Sequence, residues 1–100
     1  MTAKLRLTGR LVCASQAEVD AVHRYLPEHV RLTRAESGCL SFEVTKTHDP
    51  MVWRVEELFV DQAAFDAHQM RTKASAWAHK TAGIRRDYEV SIIVDGPGKA

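Results

Sequence analysis

The apolar residues of this chain change their spacing several times, and the order of the changes admits few folds. From Lys4 to Ala14, Leu5, Leu7, Leu11 and Cys13 alternate with Arg6, Thr8, Arg10 and Val12, the period of a half-buried strand. After Ser15 or Gln16 the period lengthens: Ala17, Glu18, Val19, Val22, Leu26, Val30 and Thr33 mark an amphipathic helix running to about Glu36. Pro27 lies inside it. A proline lacks the backbone donor and crowds the preceding turn, which predicts a kink or break near Leu26 and a second helical piece from Pro27. Gly38 is the predicted stop signal.

Alternation then returns. Cys39 to Thr47 sets Leu40, Phe42 and Val44 against Ser41, Glu43 and Thr45, and His48-Asp49-Pro50 reads as a turn. Val52 to Val60 is a strand with two apolar faces, Trp53, Val55 and Phe59 on one and Val52, Leu58 and Val60 on the other. Asp61 is a good N-cap for a helix through Ala63, Ala64, Phe65, Ala67 and His68. A further helical stretch from Thr72 or Lys73 carries Ala74, Trp77, Ala78 and Thr81 to Gly83. The last strand, Arg86 to Asp95, alternates Tyr88, Val90, Ile92 and Val94 with Glu89, Ser91, Ile93 and Asp95, and residues 96–100 are expected to be a mobile tail.

The order βαββαβ fits an α+β, ferredoxin-like fold: an antiparallel four-stranded sheet with the helices on one face. With Leu58, Val60 and Ile93 on the uncovered face, an apolar patch is predicted there, and a homodimer through that face would bury it. A chain of 100 residues, 45% of them hydrophobic, supports one ordinary core and hence one domain over residues 1–100. A formal net charge of +1 without a run of Lys or Arg argues against nucleic-acid binding. Lys4, Arg6 and Arg10 interrupt the N-terminal apolar residues, and no apolar stretch is long enough to span a membrane, so a cytoplasmic protein is expected. Cys13 and Cys39 lack C-x-x-C spacing and read as reduced core thiols.

Two blocks of residues carry a family resemblance. Arg34-Ala35-Glu36-Ser37-Gly38-Cys39-Leu40-Ser41-Phe42 is similar to an R-x-E-x-G-C-L-x-F/Y pattern, and Glu57-Leu58-Phe59-Val60-Asp61-Gln62-Ala63-Ala64-Phe65-Asp66-Ala67-His68 to E-x-W/F-x-D-x-x-A-L/F-x-x-H. In this order they resemble the antibiotic biosynthesis monooxygenase superfamily, whose fold is a dimeric α+β barrel. The resemblance implies a small aromatic or quinol-like substrate and reaction with dioxygen, although relatives with other chemistry, including haem degradation, share the fold.

The sequence has no glycine-rich nucleotide loop, no P-loop and no His, Cys or carboxylate set with metal spacing, so neither a metal nor another cofactor is expected. Oxygenation would then be driven by the substrate: a phenol or anthrone that loses a proton becomes an electron-rich anion that can reduce dioxygen. His68 is the leading candidate for proton acceptor or hydrogen-bond partner, with Glu57 orienting it. The competing reading is a purely structural hydrogen bond between them. Phe42, Val55, Phe59, Phe65 and Trp77 are candidate walls of a substrate pocket, with plain core as the alternative. Val55 and Phe59 align, by the resemblance, with an Asn and a Trp of quinone-forming members, which favours as the alternative a non-catalytic, dimeric small-molecule-binding or stress-associated module. Ser75-Ala76-Trp77-Ala78-His79 bears a partial likeness to the haem-ligand region of haem-degrading members, with His79 as the would-be ligand. Trp53 has no clear place; Arg54 reads as an ion-pair partner of Glu56 or Glu43. His23, His29 and His48 read as surface residues.

Overall fold

The computed structural model describes residues 2–95, and the expectation about the tail at 96–100 lies outside them. The chain runs β1 (Thr2–Val12), α1 (Gln16–Arg34), β2 (Cys39–Lys46), β3 (Val52–Phe59), α2 (Gln62–Lys73), α3 (Ala76–Lys80) and β4 (Arg85–Asp95). The strands form one sheet in the order β2-β3-β1-β4, every neighbouring pair antiparallel. This is the ferredoxin-like α+β arrangement read from the periodicities.

Register explains which face is buried. Leu5, Leu7 and Leu11 of β1 stand opposite Phe59, Glu57 and Trp53 of β3, so all six share a face, and all are buried. Val19 and Val22 from α1 and Trp77 from α3 close over that face, joining Leu7, Leu11, Trp53 and Val55 in one apolar cluster. Asp49 shapes the β2–β3 turn by accepting, through Oδ1, a hydrogen bond from the Met51 amide at 2.9 Å.

Four local expectations are corrected. The first helix is unbroken through Pro27, because residues beyond it, His29 and Thr33, are buried by continuing the helix. Gly38 does not stop that helix, whose C-cap is Ala35; a Cβ on Gly38 would lie 2.3 Å from the Ala64 Cβ, so the glycine lets the β2 start approach α2. Leu40 leaves the Phe42 face because a bulge between Cys39 and Ser41 shifts the register, and it is exposed. The last helix starts at Ala76 rather than near Thr72, because the Ser75 hydroxyl caps it by accepting from the Ala78 amide at 3.1 Å.

The helix-free face carries the expected Leu58 and Ile93 but mixes them with charge. Its strand residues include Arg6, Arg10, Glu43, Arg54 and Glu56, with an Arg54–Glu56 ion pair at 3.0 Å, and Leu58 stands between Ser41 and Arg6. The exposed apolar run is instead Val90, Ile92 and Val94, which pair with Leu7, Leu5 and Ala3 and therefore share the helix side of the sheet. Beyond Ile92, at Val94, β1 and β4 outrun their neighbours: β3 pairing with β1 ends at Leu5, while β4 pairing continues to Thr2. No helix among the described residues is long and apolar enough to cross a membrane.

Candidate functional site

Between the sheet and the helices lies a cavity of about 360 Å³, a size suited to a small organic molecule. The sheet supplies Leu7, Phe42, Val55, Glu57 and Tyr88; α1 supplies His29, α2 His68 and Thr72, and α3 Trp77. Alternation in the strands and the three- and four-residue spacing of the helices bring these distant residues together.

His68 is only 2% exposed, and its two ring nitrogens meet different surroundings. Nδ1 lies 3.0 Å from Oε1 of Glu36, while Nε2 lies 3.5 Å from the Thr72 hydroxyl and 3.8 Å from Oε1 of Glu57. A carboxylate only accepts, so the Glu36 contact assigns the proton to Nδ1 and leaves the Nε2 lone pair directed to the Glu57 and Thr72 side. Burial lowers the pKa of His68, the Glu36 carboxylate opposes that shift, and the Arg71 guanidinium adds to it. The lowered value favours the neutral imidazole, with its free lone pair on Nε2.

Glu36 is itself anchored. Arg71 donates to its Oε2 through Nε, and donates through a second guanidinium nitrogen to the Thr33 hydroxyl at 2.9 Å. The carboxylate in hydrogen-bond contact with the His68 ring is thus Glu36, whereas Glu57 stands 3.8 Å from Nε2. Glu57 stands across the sheet between Phe42 and Leu7, with its Oε1 buried and lacking a hydrogen-bond partner. Burial among apolar neighbours, with the nearby Glu36 charge, pushes its carboxyl up to about 7.

The aromatic residues divide into two groups. Trp77 and Phe42 line the cavity, where the His29 ring stacks on Trp77 at 5.1 Å between centroids and meets Phe42 edge-on at 5.3 Å. Val55 also lines it. Phe59 and Phe65 do not; Phe59 packs against the His68 ring at 4.9 Å and meets Phe65 edge-on, backing the imidazole from behind. Trp53 is core, edge-on to exposed His23. His29 corrects the surface reading: it is 5% exposed, and burial with the nearby His68, Arg71 and Arg86 lowers its pKa to about 3. Its position in the series Val22, Leu26, His29, Thr33 carried that signal, since this spacing lies along one helix face.

Tyr88 and Arg86 were also absent from the sequence-derived site. Both line the cavity; burial holds the Tyr88 phenol up at about 12, and the Arg86 guanidinium lies 5.9 Å from the Trp77 ring centre. His79 is exposed on α3 and does not line the cavity, so the residues present do not fit a haem ligated there. No group of three or more His, Cys, Asp or Glu residues suited to a metal occurs among the described residues.

The sequence profile described as antibiotic biosynthesis monooxygenase matches residues 12–80. Among solved structures, a protein of unknown function from Nitrosomonas europaea superposes with TM-score 0.74 at 24% identity, over 95% of this chain and 93% of that one. A structure described as an antibiotic biosynthesis monooxygenase gives TM-score 0.68 at 25% identity, covering 93% and 99%. Rv0793 from Mycobacterium tuberculosis gives 0.71 at 19%, covering 94% and 98%. No curated protein matches the sequence.

Proposed function

Because the chain belongs to the antibiotic biosynthesis monooxygenase family, we propose that it oxidises a small, electron-rich phenolic or quinol-like aromatic with dioxygen, in the cytoplasm and as a homodimer. The observation that carries the reading is the His68 imidazole, with Nδ1 held by Glu36 at 3.0 Å and Nε2 left as the basic atom in the cavity wall. The substrate ring lies against the stacked Trp77 and His29, and its hydroxyl gives its proton to Nε2. The resulting phenolate is electron-rich enough to reduce dioxygen, so the ring supplies the electrons. One oxygen atom becomes a ring carbonyl. The other leaves as water with the two hydrogens the ring gives up, which balances phenol plus dioxygen against quinone plus water. Glu57, whose carboxyl burial pushes up to about 7, donates a hydrogen bond to the peroxide oxygen that leaves.

The test is oxygen uptake across a panel of phenols, hydroquinones and anthrones. Wild type should turn over at least one of them, and His68→Ala should lose roughly 100-fold or more with its circular dichroism unchanged. Equal uptake by the two proteins would remove His68 from the chemistry.

Binding without turnover is the competing reading. The apolar Val55 in the cavity wall favours it, since it aligns with a polar residue of the quinone-forming members. Quenching of tryptophan fluorescence by a panel member, with no oxygen consumed by any, would establish that reading instead.

A further inference from the structure

Glu36 lies between two separate hollows. The cavity beside His68 does not include it, yet Glu36 lines a second cleft of about 500 Å³ together with Ser37, Gly38, Asp61, Ala67 and Arg71. The two hollows share no lining residue. Exposure falls along the same path: the Glu36 side chain is 22% exposed, whereas His68 behind it is 2% exposed. One carboxylate oxygen touches the His68 Nδ1, and the other is held by Arg71, which Thr33 steadies.

We propose that Glu36 is a proton port, passing to solvent in the second cleft the proton that His68 takes from substrate in the first. As the hydroxyl proton arrives at Nε2, the Nδ1 proton moves to Glu36 Oε1 and then to water in the cleft. The ring is left carrying its proton on Nε2. That proton and the one the ring carbon loses go to the peroxide oxygen that leaves as water, and a proton returning through Glu36 restores Nδ1–H. Charge and protons balance over the cycle, and the buried ring need not hold a positive charge while it waits for oxygen. Arg71 is ion-paired with Glu36, and Glu57, 3.8 Å from Nε2, is the only other carboxylate placed against the ring among the described residues. The port rests on His68 as the base, and the experiment separates the two ideas.

The probe is 4-nitrophenol, whose phenolate is coloured, mixed in stopped flow with the whole protein and an external pH dye, without oxygen and just below the probe's own pKa. In wild type, phenolate formation and proton release to the dye should be concurrent. In Glu36→Gln the phenolate should still form, with proton release roughly tenfold or more slower, and added imidazole should restore it. Glu36→Asp keeps the charge opposite Arg71 but withdraws the carboxylate by a methylene. It should show the same lag, and it decides the matter if the Gln variant does not fold. Proton release concurrent with phenolate in the variants overturns the port and leaves His68 as base intact. Loss of phenolate in Glu36→Gln also overturns it, because the carboxylate would then act only by sustaining imidazole basicity. Phenolate formation in His68→Ala at the wild-type rate overturns the base, and the port with it.

Discussion

Glu57 is the residue whose burial most clearly sets a solution property. In the unfolded chain its carboxyl titrates near 4.5, and in the fold near 7, so between those values the native state keeps a proton that the unfolded state has lost. The stabilising contribution is therefore fully present below 4.5 and is lost as pH rises through 7, a change on the order of 3 kcal/mol. Glu57→Gln cannot ionise and should escape the loss. Urea midpoints should show the variant gaining on wild type from acid to about pH 8, while His29 and His68, whose lowered values weaken the acid side in both proteins, cancel in the difference. A difference independent of pH would mean that the Glu57 carboxyl titrates alike in the folded and unfolded chain. Parity alone brought Glu57 to the buried face and helix spacing brought His68 near it, which is why both were legible in the sequence. Glu36 was not, for it follows the end of α1 in a turn with no period to read, and only the docking of α2 brings it to His68.

At the scale of elements, Pro27 is the clearest conflict between local preference and tertiary packing. Its missing amide leaves the His23 carbonyl without its helical donor, a cost of about 3 kcal/mol in an ordinary helix interior. The helix continues because His29 and Thr33, the next turns of its buried face, seat against Trp77, Phe42 and the Arg71 side chain. Breaking it at Leu26 would remove a cavity wall and the support of Arg71. Pro27 is exposed, so Pro27→Ala restores the bond without disturbing that face. The variant should be more stable by about 1–3 kcal/mol, seen as a higher thermal midpoint. An unchanged midpoint would show that the helix already accommodates the proline at no cost. The sequence pointed to a kink or break at Pro27, and what it lacked was the depth at which the far half of the helix is buried.

The whole molecule is long for its size, with extents of 49 × 28 × 18 Å, and the two-stranded extension of β1 and β4 contributes to that length. Paired strands without a third neighbour or a covering helix are marginal in water. Val90, Ile92 and Val94 of β4, the last of them on this extension, are 49%, 64% and 53% exposed, in one row on the helix side. Covering half an aliphatic side chain is worth about 1 kcal/mol, so three residues from each of two copies, with the surrounding backbone and rim, can sustain association. The proposed homodimer is therefore expected to use this arm as well as the charged helix-free face, rather than the apolar patch on that face that the sequence suggested. Ile92→Glu sets a charge in the middle of the row, at a residue that does not line the cavity. Wild type should sediment as a dimer and the variant as a monomer at the same micromolar concentration, with the helix content of both alike. If the variant stays dimeric, the arm lies outside the interface, and the charges of Arg6, Arg10, Arg54 and Glu56 become the contacts to change next, since a pairing built on them should weaken steeply with salt.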